Sequence, residues 1–141
     1  MKHIIKKGIS YEACMAMAEA AIRKAEELKI KISITFVDES GVLKAFFRMD
    51  FSPLVSVDAS RKKALTAVGL GIPSGDSWYE FIKDDPILFH GVQQFNDFIM
   101  LGGGSPILDG DMVIGAIGIS GGHYKQDEEC VKSAIEAYKT N

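Results

Sequence analysis

Apolar positions change period several times along the first half of the chain, and each change marks an element. From Ser10 onward Cys14, Met17, Ala18, Ala21, Ala25 and Leu28 recur at helical spacing, with Glu19, Arg23, Lys24, Glu26 and Glu27 on the outer side. This predicts an amphipathic helix with Ser10 as N-cap and an alanine-rich inner face able to lie close to a sheet. From Ile30 to Val37 the residues Ile30, Ile32, Ile34 and Phe36 alternate with Lys31, Ser33 and Thr35, the period of a strand with one wet face. Asp38-Glu39-Ser40-Gly41 supplies a turn and Val42 to Met49 resumes strand character. Residues 30 to 49 are therefore a hairpin, ending on Arg48-Met49-Asp50 before Pro53 stops the strand.

The second half repeats the alternation of elements. A helix is predicted from Leu54 to about Val68, with Val57, Ser60, Ala64, Ala67 and Val68 along one side and Lys62 and Lys63 on it. Residues 69 to 86 hold two turns and a short helix around Trp78, Phe81 and Ile82. Ile87 to Gln94, with His90, fits a loop or one helical turn, and Phe95 to Leu101 reads as a strand. Asp109-Gly110-Asp111 reads as a hairpin turn, Met112 to Ile119 as a buried strand, and Lys125 to Lys139 as a last helix carrying Val131, Ala134, Ile135 and Tyr138. Strands joined by hairpins make an antiparallel sheet, and long helices near both ends pack on it: one α/β (α+β) domain over residues 1 to 141.

Glycine is concentrated between Gly102 and Asp127, which hold eight of the fourteen in the chain. Inside a strand it weakens pairing, so Gly115 and Gly118 predict the close approach of another backbone, a helix or a ligand. Gly103 and Gly104 enter the stretch, and Ser120-Gly121-Gly122 leads into the last helix, where free amides suit a carboxylate or other anion. Turn geometry and tight helix packing explain the same glycines without a ligand.

Composition narrows the function classes. With 47% apolar and 25% charged residues the chain buries a core without staples, and a mean hydropathy of +0.08 points to a buried interface between subunits. A net charge of −3 offers no overall attraction to nucleic acid or acidic lipid. No apolar run reaches the roughly 20 residues of a membrane span. The N-terminal MKHIIKKGIS lacks the apolar core of a secretory signal, so the expectation is a cytoplasmic protein. Cys14 and Cys130 form no CxxC pair and no zinc spacing; free thiols are the default, and a disulfide between their two helices stays open.

No nucleophile elbow, HExxH or phosphate loop is present. Among the histidines, His3 lies in a terminal tail, His90 sits among Leu88, Phe89 and Gly91, and His123 stands at the mouth of the last helix. His123 and His90 are the candidate metal ligands, each with a plain structural alternative. Arg48 and Asp50, at a strand end, are expected to pair with one another or with Lys63, or to face a ligand. Asp127 is a first-turn helix acid or a general base. Phe46, Phe47, Trp78, Tyr79, Phe81 and Phe89 could line a flat apolar pocket or belong to core and interface.

Three segments, VDESGVLKAFFRMD at 37 to 50, SVDASRKKALTA at 56 to 67, and GGGSPILDGDMVIGAIGISGGHYKQDEE at 102 to 129, together resemble the GlcG/HbpS family. This is the haem-degrading-domain group that also supplies the C-terminal domain of PduO-type proteins. The resemblance implies a profilin-like fold, with a central antiparallel sheet between helices, and homo-oligomers, often octamers. It also implies haem or tetrapyrrole binding in some members, and association of others with glycolate, propanediol or glycerol metabolism. Two functions follow as expectations, beside a purely structural assembly unit that the glycine strand and apolar surface would explain without any ligand. One is an oligomeric tetrapyrrole binder, extending to slow oxidative haem degradation, with His123 or His90 on the iron and Arg48 or Lys63 on the propionates. The other is an enzyme or accessory protein for a small carboxylate or diol-derived metabolite, using Arg48, the Ser120-Gly121-Gly122 amides and Asp127. Adenosyltransferase chemistry belongs to the other domain of PduO-type proteins.

Overall fold

The computed structural model describes residues 1–140. Its elements are α1 (Tyr11–Glu27), β1 (Ser33–Asp38), β2 (Leu43–Arg48), α2 (Val55–Leu70), α3 (Asp76–Ile82), α4 (Pro86–Val92), β3 (Gly104–Asp109), β4 (Met112–Ser120) and α5 (Tyr124–Thr140). The strands form one antiparallel sheet in the order β2-β1-β4-β3. Helices α1 and α5 pack together on one face, and α2 covers β1, β4 and β3 on the other. The expected mixed α/β architecture, an antiparallel sheet between helices, is the one observed.

The main core lies between the sheet and the α1–α5 pair, where Ile34, Phe36, Ile117 and Ile119 meet Cys14, Met17, Ala21, Cys130 and Ala134. Ser10 caps α1 by accepting a hydrogen bond from the Ala13 amide at 3.1 Å, as its position predicts. Both cysteines are free and buried in this core. Burial pushes the Cys14 thiol up to about 11 and the Cys130 thiol up to about 12, so neither is a ready nucleophile at neutral pH. On the opposite face Val37 and Ala116 pack beneath Ala64 and Ala67 of α2.

Two expectations are corrected here. Residues 30 to 37 do not form a strand with one wet face: β1 begins at Ser33, and Ser33 and Thr35 are fully buried. The hydroxyls of Ser56 and Ser60 on α2 bond Ser33 Oγ and Thr35 Oγ1, each at 2.8 Å. A second helix layer has taken the place of water, and the polar alternation marks a hydroxyl seam between helix and sheet. Residues 95 to 101 are not a strand either. Phe98 and Met100 pack irregularly against the Trp78, Ile82 and Val92 cluster, and the Ile99 amide is satisfied by Thr66 Oγ1 at 2.9 Å rather than by a ladder. The ambiguous 87–94 segment resolves into α4, which Asp85 caps through the Ile87 and Leu88 amides. No helix among the described residues is long and apolar enough to cross a membrane.

Candidate functional site

The glycines of β4 and β3 let α2 touch the sheet through its backbone. A Cβ on Gly118 would stand 2.0 Å from the Ser60 carbonyl oxygen, and one on Gly104 would stand 2.3 Å from the Lys63 carbonyl oxygen. At this distance the Lys63 side chain passes through the layer. Its Nζ donates to the Ile119 carbonyl at 2.9 Å and to Asp127 Oδ2 at 2.8 Å. The other carboxylate oxygen, Oδ1, accepts from the Gly122 amide at 3.0 Å. Gly103, with φ of 113°, closes over the pair; a Cβ there would be 2.9 Å from Asp127 Cβ and 3.0 Å from Lys63 Nζ. Thus Lys63, Gly103, Gly104, Gly122 and Asp127 converge, from three distant stretches of sequence, on an ion pair whose partners are each 1% exposed.

Burial dominates both titrations. It raises the Asp127 carboxyl above its usual 3.8 against the pull of Lys63, and lowers the Lys63 ammonium below 10.5 against the pull of Asp127. The native Asp127 carboxyl holds its proton more tightly than the unfolded one, so its favourable share is present below the unfolded value and is lost as pH rises through the raised native value. The native Lys63 amine releases its proton more readily, so it opposes folding below its lowered native value, and that penalty lifts as pH climbs toward 10.5. Unfolding free energies of the chain, less those of a Lys63→Met/Asp127→Leu double variant, are expected to fall above about pH 4 and recover only in alkali. A flat difference across that range would remove the assignment.

The structure separates the remaining candidates from this centre. Lys63 pairs with Asp127 and not with Arg48 or Asp50, and its burial withdraws it from any propionate, correcting both expectations. Arg48 and Asp50 are exposed, and among the described residues they form no ion pair with one another. Arg48 Nε donates to Ser52 Oγ at 3.1 Å. Arg48, Ser33 and Ser120 form one row across the sheet, placing Arg48 two strand spacings, roughly 10 Å, from Ser120. The amides after Ser120-Gly121 are also engaged, Gly122 by Asp127 and His123 by Gln126 Oε1 at 3.0 Å. The anion held at this helix start is the chain's own carboxylate.

Two clefts flank Gly102–Gly104. One, of about 480 Å³, is lined by Tyr79, Met100, Leu101, Gly102 and Tyr124, with the carboxylates of Asp76 and Glu80 also in its wall. His123 lies outside its wall and is exposed; its ring centroid is 4.4 Å from that of Tyr124, which does line the cleft, and its Nδ1 accepts from the Lys125 amide at 3.1 Å. The second, of about 400 Å³, has Ser74, Gly103, Gly104, Ser105, Glu128 and Lys132 in its wall. Asp76 borders both and is ion-paired with Lys125. His90 lies on α4, exposed, with its ring against Phe89. Among the described residues no three His, Cys, Asp or Glu side chains gather to hold a metal ion. Of the aromatic residues, Phe47 joins the core against Phe36 and Trp78 the α3–α4 cluster, while Tyr79 lines the cleft. Met100, Leu101, Tyr124, Lys125 and Asp76 carry no signal in the sequence that marks them for a site. Only the irregular path of 95–102 brings them together, and no local period announces that path.

Likeness to known proteins extends over the whole chain. Residues 9–136 match the family model described as haem degrading protein HbpS-like. The uncharacterized 15.0 kDa protein of the dhaT-dhaS intergenic region of Citrobacter freundii is 31% identical, over 92% of each chain. The corrinoid adenosyltransferase PduO of the same organism is 29% identical over 92% of this chain, which spans 39% of that protein's length. The crystal structure of Klebsiella pneumoniae protein ORFY superposes with a TM-score of 0.93 at 29% identity, covering 100% of this chain and 97% of that one. The crystal structure of a PduOC:heme complex gives 0.83 at 27%, covering 92% and 94%.

Proposed function

The chain belongs to the HbpS-like family of haem-degrading proteins, and from that premise we propose that it binds haem or a related tetrapyrrole as a cytoplasmic homo-oligomer. The observation that carries this reading is the exposed His123 packed against Tyr124, which with Tyr79, Met100 and Leu101 lines a cleft of about 480 Å³. Flat apolar ligands are held by such walls, with one histidine sufficient to take the axial position of the iron. The likeness to a haem complex at 27% identity supports it, and two free, buried thiols suit a reducing compartment. Bound haem supplies an iron able to activate oxygen, and slow oxidative degradation is the activity to which this reading extends.

The chain's own residues set the conditions. Coordination through His123 Nε2 requires the proton on Nδ1, and Nδ1 now accepts from the Lys125 amide. Binding therefore turns the ring or releases that amide. Lys125 replaces Lys63 as the lysine able to meet a propionate, at the cost of its pairing with Asp76. Titrating haem into the purified protein is expected to give a saturable Soret band, weakened about tenfold or more in His123→Ala and unchanged in His90→Ala. Weak, non-saturating absorbance indifferent to both substitutions would overturn the proposal.

A second reading, an enzyme or accessory protein for a small carboxylate or diol-derived metabolite, draws on the 400 Å³ cleft, where the Ser74, Ser77 and Ser105 hydroxyls and Lys132 offer polar partners. Glycolate as probe would then raise the melting temperature of the chain but not of Lys132→Ala.

A further inference from the structure

The segment after β2 carries two costs that nothing inside the subunit offsets. Phe51 has φ of 66°, a backbone state that bulky residues adopt only under constraint, and its side chain is 93% exposed. Glycine would hold this turn with less strain. Leu54 and Val55, which follow, are exposed as well.

The sheet's two edges are treated differently. Along β3, Pro106 has no N–H to offer, Gly104 exchanges hydrogen bonds with Ser74, and the register breaks between Ile107 and Leu108. These are the devices that stop an edge from pairing with another chain. Along β2 the register breaks only near Lys44, and Ala45 to Arg48 run regularly on β1. Met49 donates to the Ile32 carbonyl, so by the alternation of an antiparallel ladder Phe47 and Ala45 also bond inward, while Phe46 and Arg48 turn their N–H and C=O groups outward. Their side chains share the α2 side of the sheet, because Phe46 pairs with Thr35 and Thr35 reaches Ser60 of α2. Helix α2 stops short of β2, leaving Phe46 39% exposed and Arg48 in solvent.

We propose that β2 pairs antiparallel with β2 of a second copy about a twofold axis at Phe47, with Phe51 packing on the partner. Charge selects this register. Placing Phe46 opposite Phe46 sets Arg48 against Lys44, and centring on Arg48 sets it against itself; like charges directly opposite are unfavourable. Centring on Phe47 sets Arg48 against Phe46, a cation–π pair, and Lys44 against Asp50. Because a stable interface buries upwards of about 1,200 Å², the short ladder needs the added apolar area of Phe51 and Leu54. The proposal rests on the oligomeric part of the function proposed above and is independent of haem.

Light scattering on a dilution series tests it. Phe46→Arg places Arg opposite Arg48 and weakens self-association about tenfold or more; adding Arg48→Phe restores the pair and the association. Phe51→Gly weakens association similarly, while its unfolding midpoint, measured where the chain is dissociated, stays level or rises. Circular dichroism confirms that each variant is folded; should Phe46→Arg misfold, Phe51→Gly carries the test. A wild type monomeric at all concentrations, unchanged assembly in Phe51→Gly, or a swap that fails to restore assembly would each overturn the proposal. Haem titration of these variants, with light scattering on His123→Ala beside it, keeps the two questions apart: loss of haem binding in His123→Ala with assembly intact concerns only the ligand.

Discussion

Asp127→Ala is expected to destabilise the fold by about 3–5 kcal/mol, read as a lower urea midpoint at unchanged slope and fixed protein concentration. The substitution leaves the Lys63 ammonium 1% exposed with only the Ile119 carbonyl as acceptor, and it strands the Gly122 amide that Oδ1 now satisfies. Total stabilities of about 5–15 kcal/mol are usual for a domain, so this variant would stand near the threshold of folding. The Lys63→Met/Asp127→Leu double variant removes both charges together and is expected to return to within about 2 kcal/mol of the parent. A loss below about 1 kcal/mol for Asp127→Ala would mean that water reaches the pair and that the convergence on Gly103 is not a sealed one.

Gly118→Ala should be nearly as severe for a different reason. The added methyl would lie 2.0 Å from the Ser60 carbonyl oxygen and 2.5 Å from the Ala64 nitrogen, both backbone atoms of α2. A side chain could rotate aside; a helix must move bodily, taking with it the Ser56 and Ser60 hydroxyl bonds to β1. A cost of about 3 kcal/mol or more follows, seen as a drop in melting temperature together with loosened near-ultraviolet dichroism. Gly91 is the control: a methyl added there would find no other atom within 4 Å, so Gly91→Ala within α4 should be neutral or stabilise by up to about 1 kcal/mol. Equal effects at the two positions would show that backbone entropy, and not close approach, governs these glycines.

The expected elements and the observed ones part company where a neighbour decides. Helices α1 and α5 and the hairpin of β1 and β2 were legible because their apolar periods are written within a short span of chain, and the glycines of β4 announced a close approach because a strand otherwise avoids them. Ser33 and Thr35 looked wet because polarity alone does not say whether its partner is water or the hydroxyl of a helix far along the chain. Residues 95 to 101 are apolar enough for a strand, yet they fill the space beside Trp78 and take their amide partner from Thr66.

The candidate site divides along the same line. The family, the mixed antiparallel architecture and the residue types from which a site is drawn were readable along the chain, since each depends on local period and on motif order. It took the packed structure to show that Lys63 belongs to Asp127, sixty-four residues away, that Arg48 and Asp50 stand apart at an open edge, and that Tyr124, against which His123 packs, shares a cleft with Tyr79, Met100 and Leu101. Charge pairing and cleft walls arise from proximity between elements, and proximity is settled by which faces bury one another.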